Sequence, residues 1–169
     1  MITLRIDTRS LERGVKKLAG VPAKIVRVQV QAAPEAGDKV RTDIRRGLKD
    51  VTGVRRYGDI TERVYSRTPT AGRYVIIARG PGLPITAFRV RRAGGAVEAD
   101  PWGVGRVFKR SFFLPSGPGR ARLTIHRKPI RRLFGPNLAK ELLKANMADR
   151  FYASVRRNLL PIVEKRLAR

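Results

Sequence analysis

Between residues 22 and 51 the apolar positions Ile25, Val28, Ala32, Ala36, Val40, Ile44, Leu48 and Val51 recur at intervals of three and four, drawing one stripe along a long helix. A second stripe of the same period, Leu138, Leu142, Ala145, Ala148, Tyr152, Val155, Leu159 and Ile162, runs toward the C-terminus. Helices of this kind take their stability from packing, so each needs an apolar layer to cover. Residues 73–132, which lie between them, supply it: β-branched and aromatic runs are separated there by Gly and Pro at short intervals. The expectation is an α+β fold, an antiparallel β-sheet packed against a long N-terminal helix and a long C-terminal helix.

Finer expectations follow from local chemistry. The alternation of Ile2, Leu4 and Ile6 with Thr3, Arg5 and Asp7 predicts a strand over residues 1–8. Helical structure is expected over 22–67, with a kink or break near Ala33 caused by Pro34 and Gly37, and a second short helix over 52–67 carrying Val54, Tyr57, Ile60 and Val64. Lys24, Arg27, Lys39, Arg45, Arg46 and Lys49 fall off the first stripe, on its polar side. Strands are expected over 73–79, 85–91, 96–99, 105–114 and 122–127. Gly94-Gly95 suits a tight hairpin that needs positive φ. Asn137 is placed to cap a helix over 137–169, and Pro161 should kink its last turns. With no internal repeat and no long linker, residues 1–169 read as one domain.

Charge is the feature that bears on function. The 169 residues hold 38 Lys and Arg against 13 Asp and Glu, a net charge of +25, and 28 of the basic residues are Arg. A GC-rich genome enriches Arg without functional reason, but it does not remove acids. The imbalance peaks over residues 101–132, where Arg106, Lys109, Arg110, Arg120, Arg122, Arg127, Lys128, Arg131 and Arg132 occur with no acid at all. A charge run is ordinarily a solvated face. Nine uncompensated cations on strands and their turns imply instead a polyanion or an acidic surface alongside.

Catalytic chemistry finds little support. There is no Cys, which removes thiol catalysis, disulfides and thiolate zinc sites. His126 is the single histidine and sits among cations in LTIHRKPIRR, which disfavours its imidazolium form, so it reads as a strand-end residue without a catalytic task. Glu98 and Asp100 are the nearest carboxylate pair for metal-dependent cleavage, but alternate acids beside Arg91 and Arg92 read first as a solvated turn or as arginine partners. No glycine cluster has phosphate-loop spacing. Trp102, in DPWGVGR, is a base-stacking candidate that reads first as a residue packed over a loop. No cofactor is implied. The longest aliphatic run, Val75 to Ala78, is far short of a membrane span, and the charged N-terminus lacks the apolar region of an export signal.

The order of these features carries a resemblance. A long N-terminal helix, TGVRRYGDITERV, LPITAFRVRR, the GG hairpin, SFFLPSG and then LTIHRKPIRRLFGPNLAKELL are together similar to the phage minor tail protein Z family of tail completion proteins, over most of the chain from about Pro22 onward. The most specific stretch is the aromatic strand with Phe112 and Phe113, a glycine turn, a basic strand with Arg127, then Pro129-Ile130 and Gly135-Pro136. The resemblance implies a virion structural protein at the head-proximal end of a tail, made in the host cytoplasm. It would form a homo-oligomeric, hexameric ring with tail terminator, tail tube or connector proteins, around a path of genomic DNA met by backbone electrostatics. The nine cations would then face the DNA or those partners. The rival expectation is a sequence-nonspecific nucleic-acid-binding protein of ribosomal or nucleoid type, and a nuclease using Glu98 comes third.

Overall fold

The structure is a computed structural model and describes residues 2–7, 23–113, 121–123 and 131–168. Strand β1 (Ile2–Asp7) is followed by α1 (Ala23–Thr52), a single turn α2 (Gly58–Thr61), β2 (Val64–Thr70), β3 (Arg73–Ala78) and a 3-10 turn at Ile85–Ala87. Next come β4 (Val90–Ala93), β5 (Ala96–Ala99), a 3-10 turn at Pro101–Gly103, β6 (Arg106–Phe108), β7 (Ser111–Phe113), β8 (Ala121–Leu123) and β9 (Arg131–Arg132). Helices α3 (Leu138–Leu142) and α4 (Ala145–Leu167) close the chain. The fold is α+β, with the two long helices packed against antiparallel strands as the stripes require. Among the described residues the strands form three antiparallel sheets, in the orders β1-β3-β2, β4-β5-β6 and β7-β8-β9, where one sheet was expected.

The principal core gathers Val40, Ile44 and Leu48 of α1, Val64 and Ile76 of the first sheet, Phe88, Val97 and Ala99 of the strand block, and Leu138, Leu142, Met147 and Phe151 of the C-terminal helices. A smaller cluster joins Ala32 and Ala36 to Leu159 and Ile162. It sits near Ala33, where Pro34 and Gly37 were expected to kink or break the helix. Helix α1 runs through Pro34 instead, because the alanines around the proline pack closely on α4 and hold the helical path despite the lost hydrogen bond. Helix α4 is likewise continuous through Pro161.

Gly37 is explained by proximity, since any Cβ there would overlap the ring of Tyr74, which lies against the bare helix backbone. The Tyr74 hydroxyl donates to Asp38 Oδ1 at 2.6 Å. Burial, reinforced by that bond, pushes the phenol up to about 12.

Several local expectations change. The helix over 52–67 shrinks to α2, because Val64-Tyr65-Ser66-Arg67 pairs with β3 and strand pairing outweighs the helical spacing of Val54, Ile60 and Val64. Pro69 is accommodated because β2 is an edge strand. Arg45 is no solvated cation: its Nε donates to the Val64 carbonyl at 2.9 Å and its Nη2 to the carbonyls of Thr61 and Val64, tying β2 to α1. The strand over 85–91 begins instead as a 3-10 turn, whose three-residue period buries Ile85 and Phe88 on one side. The strand over 105–114 divides at Lys109–Arg110, where Arg110 has φ 58°. The strand over 122–127 appears as β8, and residues 124–130 lie outside those described. The Gly94-Gly95 hairpin forms with φ 53° and 79°.

Asn137 caps α3 as its chemistry suggests, its Oδ1 accepting from Ala139 N at 2.9 Å. The expected helix over 137–169 is nevertheless two helices, parted at Leu143–Lys144. That break resets the helical phase. Met147, Phe151 and Ser154 turn inward, while Ala145 and Tyr152, expected on the buried stripe, face solvent.

Candidate polyanion-binding face

The four acids of α1 are engaged. Glu35 accepts from Arg166 at 2.9 Å, Asp43 from Arg157 at 2.5 Å and Asp50 from Arg150 at 3.5 Å, so three carboxylates along α1 meet three arginines along the antiparallel α4. Asp38 pairs with Arg41 at 3.0 Å. The hydrogen bond from Arg166 holds the Glu35 carboxyl below its ordinary value. Burial raises that of Asp43, but the bonds from Ser154 and Arg157 outweigh burial and leave it lowered as well. A carboxyl depressed in the folded state contributes stability that is present above its unfolded pKa of about 4 and is lost as pH falls through the folded value. Thermal melts between neutral pH and strong acid are therefore expected to drop below pH 4, and Asp43→Asn should flatten part of that drop.

Over residues 73–132 the only acids are Glu98 and Asp100, and both are spent within the outer face of the β4-β5-β6 sheet. Arg91 grips Glu98 through two bonds, Nε to Oε2 at 2.8 Å and Nη2 to Oε1 at 2.6 Å, and the first effect of this grip is a lowered Glu98 carboxyl. Asp100 Oδ1 accepts from the Arg89 backbone N–H at 3.0 Å. Both carboxylates line a cleft of about 310 Å³ with Arg89, Arg91 and Gly105. Among the described residues no group of three or more His, Cys, Asp or Glu is placed to hold a metal ion, and no helix is long and apolar enough to cross a membrane.

What remains in the strand block is cationic. Arg79, Arg89, Arg92, Arg106, Lys109 and Arg132 are exposed and meet no carboxylate among the described residues. Several of these guanidinium groups are nonetheless held in place. Arg106 lies 5.3 Å from the centroid of Trp102, Arg92 lies 5.8 Å from that of Phe113, and Arg79 and Arg67 lie 4.9 and 5.9 Å from that of Tyr65. A guanidinium stacked on a ring keeps its N–H edge for an anion while losing part of its rotamer freedom in advance.

Trp102 is itself fixed. Its Nε1–H donates to Glu141 Oε1 at 3.0 Å, Glu141 is buried and also meets Lys144 Nζ at 2.7 Å, and Trp102 adopts a left-handed φ of 60°. The side chain remains 36% exposed, so it serves as a clamp on the loop and as a platform for Arg106 at once.

The sequence candidates therefore divide. Arg106, Lys109 and Arg110 stand on β6 and the turn after it, all exposed. Arg122 and Arg132 are direct register partners across β8 and β9, and Arg131 stands opposite Leu123. Arg120, His126, Arg127 and Lys128 lie outside the described residues. Sequence reasoning missed Arg79, Arg89 and Arg92, three further exposed arginines in or beside β3 and β4. The alternation in FRVRR was the available signal, but an acid-free window beginning at residue 101 left it out. Ser111 couples the second and third sheets, since its buried hydroxyl accepts from Val97 N at 2.8 Å and donates to the Phe108 carbonyl. In comparisons with protein-family models, curated proteins and solved structures, nothing matches this chain.

Proposed function

We propose that this chain is a non-enzymatic structural protein of a phage virion, a tail completion or neck component that assembles as a homo-oligomeric ring and meets the passing DNA through its phosphate backbone. The observation that carries the electrostatic part is the segregation of charge: the acids of α1 are engaged by arginines, while Arg79, Arg89, Arg92, Arg106, Lys109 and Arg132 meet no carboxylate among the described residues. Such a surface neutralises phosphates without reading bases, which is what a path for DNA of any sequence requires. The placement in a neck rests on the order of sequence features from TGVRRYGDITERV to LFGPNLAKELL. A second reading, a nucleic-acid-binding protein of ribosomal or nucleoid type, is favoured by the part-exposed Trp102 ring beside Arg106, where a base could stack.

Binding to purified tails and connectors beside bare duplex DNA separates the two. The neck reading expects selective, saturable binding to tails or connectors at salt that suppresses binding to DNA, and Arg122→Gln with Arg132→Gln should block incorporation. Tight binding to DNA with no preference for tails or connectors would favour the second reading.

A further inference from the structure

We propose that two copies of this chain associate through the solvent side of α4, in an antiparallel contact whose twofold axis passes beside Leu160. Helix α4 is apolar on two sides. Met147, Phe151 and Ile162 are buried against the body, yet Tyr152, Leu160 and Leu167 are 62%, 58% and 36% exposed. At 100° per residue Tyr152, Arg156, Leu160 and Leu167 fall within an arc of about 80°, with Glu164 about 40° beyond its edge. This is a continuous seam and not a scatter of surface apolar residues. The Tyr152 ring is steadied edge-to-face on Phe151, with centroids 5.6 Å apart.

The charges on the seam identify the occupant. Arg156 and Glu164 are exposed, have no ion-pair or hydrogen-bond partner for their side chains among the described residues, and lie four residues before and after Leu160. Each is thus about 6 Å along the axis from Leu160, too far from the other to pair within one helix. An antiparallel copy laid Leu160 to Leu160 brings Arg156 of each chain opposite Glu164 of the other, twice, and sets Tyr152 beside Leu167. A surface that complements itself under a twofold rotation is what an isologous contact needs. The rest of the molecule favours the same choice. With each copy at +25, association must avoid the arginine-rich strand block, and the outer side of α4 holds Asp149 and Glu164, two exposed acids that no arginine engages among the described residues. The inference does not depend on a role in a virion.

The test is sedimentation velocity on the full chain at about 0.5 M NaCl, where repulsion between the two bodies is screened beyond a few ångströms. The wild type should sediment as a dimer, and Leu160→Glu as a monomer with unchanged helical circular dichroism. Arg156→Glu sets like charges face to face in the contact and should raise Kd about tenfold, although it lowers the net charge and would tighten association if overall repulsion governed it. Glu164→Arg should weaken the dimer too. The doubly exchanged chain, Arg156→Glu with Glu164→Arg, should return to within about threefold of wild type, since each cross pair is restored in reverse. A wild-type monomer, a dimer that survives Leu160→Glu, or a double exchange no better than the single ones would each overturn the proposal. Failure of the neck reading would appear separately, in binding to tails and connectors, and would leave these results unchanged.

Discussion

A chain that ends at Pro136 is expected not to fold cooperatively. It lacks Leu138, Leu142, Met147, Phe151, Leu159 and Ile162, all of them buried, and uncovers Val40, Ile44 and Leu48, which are fully enclosed in the intact chain. Full burial of one such side chain contributes about 1.5–3 kcal/mol. Six of them amount to on the order of 10 kcal/mol, as much as the whole stability of an ordinary domain. Three of the carboxylates along α1 also lose the arginines that face them. Near-ultraviolet circular dichroism, thermal melting and light scattering of the truncated chain decide the matter. A soluble, monodisperse product with a sharp melt would mean that the core has been assigned to the wrong elements.

The second large effect is on polyanion binding. Affinity for duplex DNA should fall steeply with salt, with a log–log slope of about 0.9 for each phosphate neutralised and no preference among sequences. Arg92→Gln with Arg106→Gln removes two guanidinium groups poised on aromatic rings, so the slope should shrink by about two and affinity should weaken evenly across sequences. The comparison is Arg27→Gln with Arg46→Gln, two exposed residues of α1, a helix whose surface also carries acids. Arg45 is unsuitable for that purpose because its guanidinium holds the carbonyls of Thr61 and Val64, and replacing it would loosen β2. If the two double variants lose the same slope and affinity, total charge and not the strand block governs binding.

The architecture was legible where a single period dominates. The stripe from Val28 to Leu48 needed only its spacing, and the Gly94-Gly95 hairpin and the Asn137 cap needed only local backbone chemistry. Expectations failed where a non-local partner decided. Val64 has helical spacing from Ile60, but β3 is there to pair with, and Pro34 is a helix breaker only in the absence of α4 packed beside it. The misplaced inward face of α4 came from one unseen break, since two residues outside a helix rotate everything after them. For the candidate face, the acid-free run at 101–132 contains Arg106, Lys109 and Arg132, which are exposed and meet no carboxylate among the described residues. Its true extent depends on which acids are already engaged, and that is a property of the α1–α4 pairing and the Arg91–Glu98 grip, which spacing does not encode.

The bare helix backbone under the Tyr74 ring has a consequence for how this fold tolerates change. Where α1 crosses β3, the gap is closed by an aromatic face on one side and the absence of a side chain on the other, so positions 37 and 74 form one joint volume divided between them. Alanine or anything larger at 37 is admissible only with a smaller ring or none at 74, and a smaller residue at 74 leaves the Asp38 carboxylate without its hydroxyl donor. In diverging copies of this chain, the two sites are therefore constrained to drift as a pair, and once the tyrosine is lost the acid at 38 keeps its ion pair with Arg41.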